Sequence, residues 1–249
     1  GGPSGLRMTD LLLDELDETE IGVVPISGDI RESLSVRSRT SGEQYRFVLP
    51  GPQIGPAELD ACLDAVIAAA TPERCRCVVV SGSLPPGVDP DFISDLVARA
   101  PHVLFVVDTS GPALAAALRS GAYLIKPSAR ELAAMAGRGL DTEADIIEAA
   151  IEVKSRSSVS VLVVSIGPGG AVVLTDGTVH RLRAPAVKVR SAVGAGDSMV
   201  AGIATGLNRN LELLDAVRLG VAAGTAAVLT EGTDLCAQAD VDRLLPLVG

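Results

Sequence analysis

The chain has 249 residues, 47% of them hydrophobic, which is enough for one substantial core and too few for two full domains, so residues 1–249 are expected to form one main domain. A formal net charge of -10 argues against a nucleic-acid partner or an anionic-membrane surface, and it leaves room for a local cationic pocket that holds a phosphate. The four cysteines (Cys62, Cys75, Cys77, Cys236) follow no zinc spacing, and the apolar stretches break well short of the roughly 18 residues a membrane helix needs, so a soluble, cytoplasmic protein with reduced thiols is expected.

The chain opens on Gly1-Gly2-Pro3-Ser4-Gly5 without an initiator Met, either a processed start or a sign of sequence upstream, and runs into a helical pattern from Met8 to Leu16. Short apolar runs at 21–26, Cys77–Ser81, Leu104–Asp108, 123–126 and Val161–Ser165 predict strands. Helical patterns at 56–70, 91–100, 112–120, Ala129–Ala136 and 142–156 lie between them. Alternation of this kind predicts an α/β fold, a mostly parallel sheet covered by helices on both faces. Between residues 32 and 49, Leu34, Val36, Tyr45, Phe47 and Leu49 alternate with polar residues around Thr40-Ser41-Gly42-Glu43, which predicts a hairpin off the main sheet: a lid, a dimer contact or an edge hairpin packed on the core. After Gly170, runs at 171–175 and 179–182 flank Asp176-Gly177 as a second hairpin, followed by two long Ala/Gly-rich helices.

Four segments carry chemistry. In SAVGAGDSMVAG (191–202), Gly194 and Gly196 allow a tight turn into a helix, leaving the amides of Gly194 to Asp197 to face an anion with the helix dipole behind them. Asp197 beside that anion can deprotonate an attacking hydroxyl; alternatively it caps its helix and the glycines serve packing. VVSGSLPPG (79–87) ends a strand in a turn whose Ser81, Gly82 and Ser83 suit a sugar or its phosphate, or form only a rigid turn. LIKPSAREL (124–132) puts Lys126 at a strand end and Glu131 in the next helical turn, a pairing suited to nucleotide phosphate with Mg²⁺ or, equally, a surface lysine and a dipole-favoured glutamate. VVSIGPGGA (163–171) is a second glycine turn after a strand, weak by itself.

In this order the four motifs resemble the ribokinase-like carbohydrate kinases, specifically the phosphofructokinase B branch and its minor 6-phosphofructokinases. The segments SGEQYRFVLPG (41–51), VAAGTAA (221–227) and EGT (231–233) extend the likeness over nearly the whole chain. The resemblance implies a three-layer α/β/α sandwich with a β lid that includes residues 31–50, and ATP-dependent phosphorylation of a phosphorylated ketohexose, with fructose 6-phosphate the leading substrate. It makes Asp197 the catalytic base and Gly194, Ala195 and Gly196 the anion hole. Ser165, Gly167 and Gly170 would line the nucleotide's phosphates and ribose, Lys126 and Ser128 would approach ATP, and Val189, Val221 and Thr225 would border the adenine. Glu131 would position Mg²⁺ through water, Arg31 and Ser83 would hold the sugar's phosphate, and a K⁺-like ion would sit among Ser191, Val193, Ala227, Thr230, Gly232 and Asp234. A homodimer through the lid is a further expectation.

Two departures stand out. Ser128 replaces the family's Asn in the NxxE motif, and a hydroxyl reaches less far than an amide. The family also carries roughly sixty residues upstream of the point that Gly1-Gly2 matches, with a first strand and sugar-binding groups, and without that strand a sheet edge would be exposed. Alternative readings are a 1-phosphofructokinase, a tagatose-6-phosphate kinase, or a catalytically silent relative that binds nucleotide or sugar.

Overall fold

The computed structural model describes residues 1–16, 21–41, 43–71, 73 and 75–249. These divide into two compact units, Gly1–Ala68 with Leu84–Asp89, and Ala69–Ser83 with Pro90–Gly249. The first holds helix α1 (Gly2–Glu15), strands β1 (Ser33–Arg37) and β2 (Gln44–Val48), and nearly all of helix α2 (Pro56–Ala69). α1 starts earlier than its apolar pattern because Pro3 is tolerated in a first turn, where its missing N–H has no intrahelical partner to lose.

β1 and β2 pair antiparallel, with Leu34 opposite Phe47 and Val36 opposite Tyr45. Directly opposed residues share a face, so the pairing gathers these four apolar side chains into one stripe, and all four are exposed. Gly42, in the expected turn, lies outside the described residues. The strand expected at 21–26 does not form, and the segment runs without regular structure. Pro25 has no N–H for a ladder and Gly22 offers no side chain to pack, which together defeat the apolar run.

The second unit is built on βα units. β3 (Cys77–Ser81), β4 (Leu104–Asp108), β5 (Leu124–Ile125) and β6 (Val161–Ser165) are parallel, joined in turn by α3 (Phe92–Arg99), α4 (Gly111–Ala117), and the pair α5 (Ala129–Ala136) and α6 (Glu143–Ser155). β7 (Gly170–Thr175) and β8 (Thr178–Arg183) extend the sheet antiparallel, giving the spatial order β3-β4-β5-β6-β7-β8. β5 is shorter than the run 123–126 suggests, although its neighbours' hydrogen bonds continue past it, and Pro127 brings no N–H of its own to extend the ladder.

The strand pleat sorts the core into two layers. Val106, Leu124, Val161, Val163, Val173 and Leu182 pack with buried residues of α7 (Ala195–Asn208), α8 (Leu213–Ala227) and α9 (Gln238–Leu244). The alternate residues Phe105, Val107, Ile125, Leu162, Val164 and Val172 are equally buried and point to the other face, where α5 and α6 lie against β6 and β7. α7 and α8 touch along small residues: a Cβ added to Gly202 would stand 2.7 Å from the Gly220 Cα, and one added to Gly224 would stand 2.9 Å from the Ala195 carbonyl oxygen. Backbone-to-backbone approach fixes the start of α7 against α8 to within a methyl group.

Among the described residues no helix is long and apolar enough to cross a membrane. All four cysteines are free, and burial pushes the Cys77 thiol up to about 11, which leaves it protonated and inert at neutral pH.

Candidate active site

The C-terminal ends of β3, β4, β5 and β6 lie side by side, the place where open α/β sheets receive ligands. Register aligns Ser81 with Asp108 and Val107 with Ile125, so Gly82, Asp108 and Lys126 follow one another across the sheet. The Gly82 N–H donates to the Asp108 carbonyl at 2.9 Å, and the Lys126 N–H to that of Val107 at 3.0 Å. Ser165 joins the row by donating its N–H to the Pro127 carbonyl at 2.9 Å, which sets Ser165 beside Ser128 as a parallel bridge.

Within this row the Lys126 ammonium meets the Asp108 carboxylate at 3.2 Å, with side chains only 5% and 16% exposed. Burial pushes the Asp108 carboxyl above its ordinary range; Lys126 opposes that rise, and Glu131 and Asp197 add to it. Asp108 therefore senses two further carboxylates while it pairs with a single ammonium. Among the described residues no three acidic, His or Cys side chains converge closely enough to cage a metal ion. The donor set fits Mg²⁺, which keeps several waters, takes one or two carboxylates and leans on a nucleotide's phosphates. One Glu131 oxygen is already engaged, accepting from the Ser128 N–H and hydroxyl at 2.8 Å each, while the Ser128 hydroxyl accepts from the Glu131 N–H at 3.2 Å. That reciprocal capping box closes the start of α5.

α7 begins differently. Gly194 sits in the left-handed region at φ 77°, no side chain caps the helix, and the first turn presents the amides of Ala195, Gly196 and Asp197. Asp197 is exposed at the third helical position and does not act as the cap, so the first-turn amides stay open with a carboxylate on the same turn. The Lys126 Nζ lies 3.7 Å from where a Gly196 Cβ would stand, placing an ammonium against the same turn. Unsatisfied amides, the helix dipole and a cation together make an anion cradle with a carboxylate at its rim.

A cavity of about 490 Å³ opens onto this cradle, reaching Ala195 and Gly196 at one end. Ser165, Gly167 and Gly170 form one wall, Val187 and Val189 another, and Met199, Val221, Thr225 and Val228 the floor. Thr225 donates its hydroxyl to the Val221 carbonyl at 2.7 Å, so its hydroxyl is already engaged within the helix. Gly170, at φ 102°, has the Leu182 carbonyl oxygen 2.2 Å from its would-be Cβ, and no other residue fits there. The size and mixed lining suit a nucleotide.

Behind the cradle, the buried Ser191 hydroxyl donates to the Gly232 carbonyl at 2.8 Å and accepts from the Val193 N–H at 3.2 Å. The Thr230 hydroxyl lies 2.8 Å from both the Ala227 and Asp234 carbonyl oxygens. These six residues thus fall into two hydrogen-bonded groups, Ser191, Val193 and Gly232 in one and Ala227, Thr230 and Asp234 in the other, whose carbonyl and hydroxyl oxygens are of the type a K⁺-like ion takes. Arg31 is exposed in the first unit, its Cβ 3.9 Å from the would-be Cβ of Gly51, and Ser83 is exposed in the second. Asp108 was not among the residues expected from sequence. An Asp closing an apolar run reads as a strand terminator, and only its position at the C-terminal end of a parallel strand hints at more.

A model of the pfkB family of carbohydrate kinases matches residues 8–240. The chain is 42% identical over 250 residues to the ATP-dependent 6-phosphofructokinase isozyme 2 of Mycobacterium tuberculosis, covering 99% of this chain and 72% of that one. It is 36% identical over 220 residues to a 1-phosphofructokinase of Haloferax volcanii, covering 88% and 70%. Among solved structures, phosphofructokinase-2 from Escherichia coli in complex with potassium superposes with a TM-score of 0.88 at 37% identity, covering 99% of this chain and 79% of that one.

Proposed function

This chain belongs to the pfkB family of carbohydrate kinases, and on that premise we propose that it transfers the γ-phosphoryl group of ATP to a hydroxyl of a phosphorylated ketohexose, O1 of fructose 6-phosphate. The observation that carries the reading is the uncapped start of α7, where Asp197 stands beside three first-turn amides and the Lys126 ammonium lies against Gly196. Phosphoryl transfer asks a protein for little covalent chemistry and much positioning of charge.

In the proposed mechanism Asp197 accepts the proton of the attacking hydroxyl. The amides from Gly194 to Asp197 and the Lys126 ammonium hold the charge that spreads over the phosphoryl oxygens. Ser165, Gly167 and Gly170 border the nucleotide's phosphates and ribose, Ser128 approaches them, and Val189, Val221 and Thr225 receive the adenine. Bound Mg²⁺ would neutralise the nucleotide's phosphates, with Glu131 reaching it through water and Asp108 adding negative charge nearby. Ser191, Val193, Ala227, Thr230, Gly232 and Asp234 would hold K⁺, a reading supported by the potassium complex of the E. coli relative. Arg31 and Ser83 are each proposed as contacts for the sugar's phosphate.

Residues 1–249 are read as one kinase domain with 31–50 as part of a β lid, working in the cytoplasm. The exposed apolar stripe of the hairpin supports a homodimer through that lid. Specificity for 1-phosphofructokinase chemistry is the second reading, favoured by the H. volcanii relative. ADP release from Mg-ATP against fructose 6-phosphate, fructose 1-phosphate and tagatose 6-phosphate separates them, with Asp197→Asn alongside. Turnover on fructose 6-phosphate that disappears in the variant supports the first reading, and turnover on fructose 1-phosphate alone supports the second. Nucleotide binding without turnover on any sugar leaves the silent relative.

A further inference from the structure

The turn Gly167-Pro168-Gly169-Gly170 is three glycines and a proline, residues that bring no side-chain hydrogen bond of their own, and Gly167, Pro168 and Gly170 line the nucleotide cavity. Its backbone bonds are the Gly169 N–H to the Ile166 carbonyl at 3.1 Å, the Gly170 N–H to that of Gly167, the Ile166 N–H to that of Gly170 at 2.9 Å and, from outside the turn, the Ala184 N–H to that of Gly169 at a long 3.4 Å. Glycine loses more conformational freedom on ordering than any other residue, so such a turn needs an external clamp to be ready for a ligand.

Arg181 supplies one. It stands on β8 opposite Val172, and its side chain is only 19% exposed. Its Nη2 donates to the Gly169 carbonyl at 2.7 Å, its Nη1 to the carbonyls of Ala171 at 3.2 Å and of Leu182, and its Nε to the Glu143 carboxylate at 2.8 Å. That bond, first among its causes, holds the Glu143 carboxyl below the usual carboxylate range. Glu143 opens α6, whose start is fixed by a capping box of Thr142 and Asp145. One planar guanidinium thus ties the cavity turn to the β7–β8 hairpin and to the head of a capped helix.

We infer that Arg181 is a positioning residue for the nucleotide: it touches no substrate, and it pre-forms the Gly167–Gly170 wall so that ATP binds without first ordering it. The inference rests on the kinase reading above. A lysine keeps the charge and loses the fork, so it cannot reach three carbonyls and a carboxylate together.

The test compares Arg181→Gln, Arg181→Lys and Glu143→Gln with the wild-type chain by titration calorimetry with ADP and ATP, below the melting point of each variant. Hydrogen exchange at residues 166–170 and the KM for the phosphosugar are measured in parallel. Both Arg181 variants should bind nucleotide about tenfold more weakly and exchange faster in the turn, with the phosphosugar KM within about twofold of wild type and Glu143→Gln between them. Unchanged nucleotide affinity in Arg181→Gln, full rescue by Arg181→Lys, or equal weakening of both substrates would overturn the inference and leave the kinase reading intact. A wild-type chain that binds no nucleotide would sink the kinase reading, and the role given to Arg181 with it.

Discussion

Two helices of the second unit begin on opposite terms. α5 closes its own start, with the Ser128 hydroxyl and the Glu131 carboxylate exchanging hydrogen bonds with each other's amides. α7 begins on Gly194 in a left-handed conformation with no side chain over its amides. A side-chain cap stabilises a helix by about 1 kcal/mol, so the bare start of α7 forgoes that stability unless an anion takes the place of the cap. α6 sides with α5 through its Thr142 and Asp145 box. The difference separates a terminus whose amides are closed by its own side chains from one whose amides stay open, as the proposed kinase chemistry requires.

The sharpest way to break the comparison is Asp197→Asn. If the carboxylate serves chemistry, turnover in the ADP-release assay should fall by about three orders of magnitude while the melting temperature stays put. Lost stability with retained turnover would make Asp197 a structural residue. Next in size is Gly202→Ala, which pushes a methyl into the Gly220 backbone and should cost about 1–3 kcal/mol by overpacking, read from urea denaturation. Because the same seam sets the start of α7, nucleotide affinity should weaken with it.

The capped helices supply a matched pair. Ser128→Ala and Thr142→Ala should each cost about 1 kcal/mol of stability, but only Ser128→Ala, which lies beside Ser165 and the cavity, should also raise the KM for ATP. Equal KM values in the two variants would remove Ser128 from the site. The shallowest effect concerns pH. Folding raises the Asp108 pKa, so the folded state holds that proton more tightly than the unfolded chain. The group's contribution is fully present below the ordinary carboxylate value of 3.8 and is lost as pH rises through the raised folded value. Asp108→Asn should flatten this part of the profile, so its stability relative to wild type should improve as pH rises from 3.8, checked by denaturation at a series of pH values.

Much of this was readable before any coordinates. The runs that became β3, β4 and β6 are continuous, rich in Val, and bounded by turn residues, so period and length agreed. The run at 21–26 looked similar and failed, because Pro25 removes a ladder donor that no local pattern restores. The glycine turn at 194–196 announced the tight, left-handed entry into α7 through local chemistry alone. Asp108 stayed hidden because its meaning depends on the register that brings Lys126, eighteen positions along, to 3.2 Å. The commitment of Glu131 to a cap was likewise ambiguous: a Ser-x-x-Glu spacing serves a capping box and a metal-site reading equally well.

The spatial order of the six strands repeats their order along the chain. Each strand from β4 onward therefore finds its neighbour already made, and the sheet can grow one strand at a time as the chain leaves a ribosome. The helices that cover one of its faces, α7 and α8, come only after the last strand. For the seconds that separate their synthesis, Val106, Leu124, Val163 and Val173 form an apolar sheet face with nothing over it. A chain stalled before residue 195 would thus be a sticky, aggregation-prone intermediate as well as an inactive one, and the helix that carries Asp197 is also the cover that makes the nascent protein safe to release.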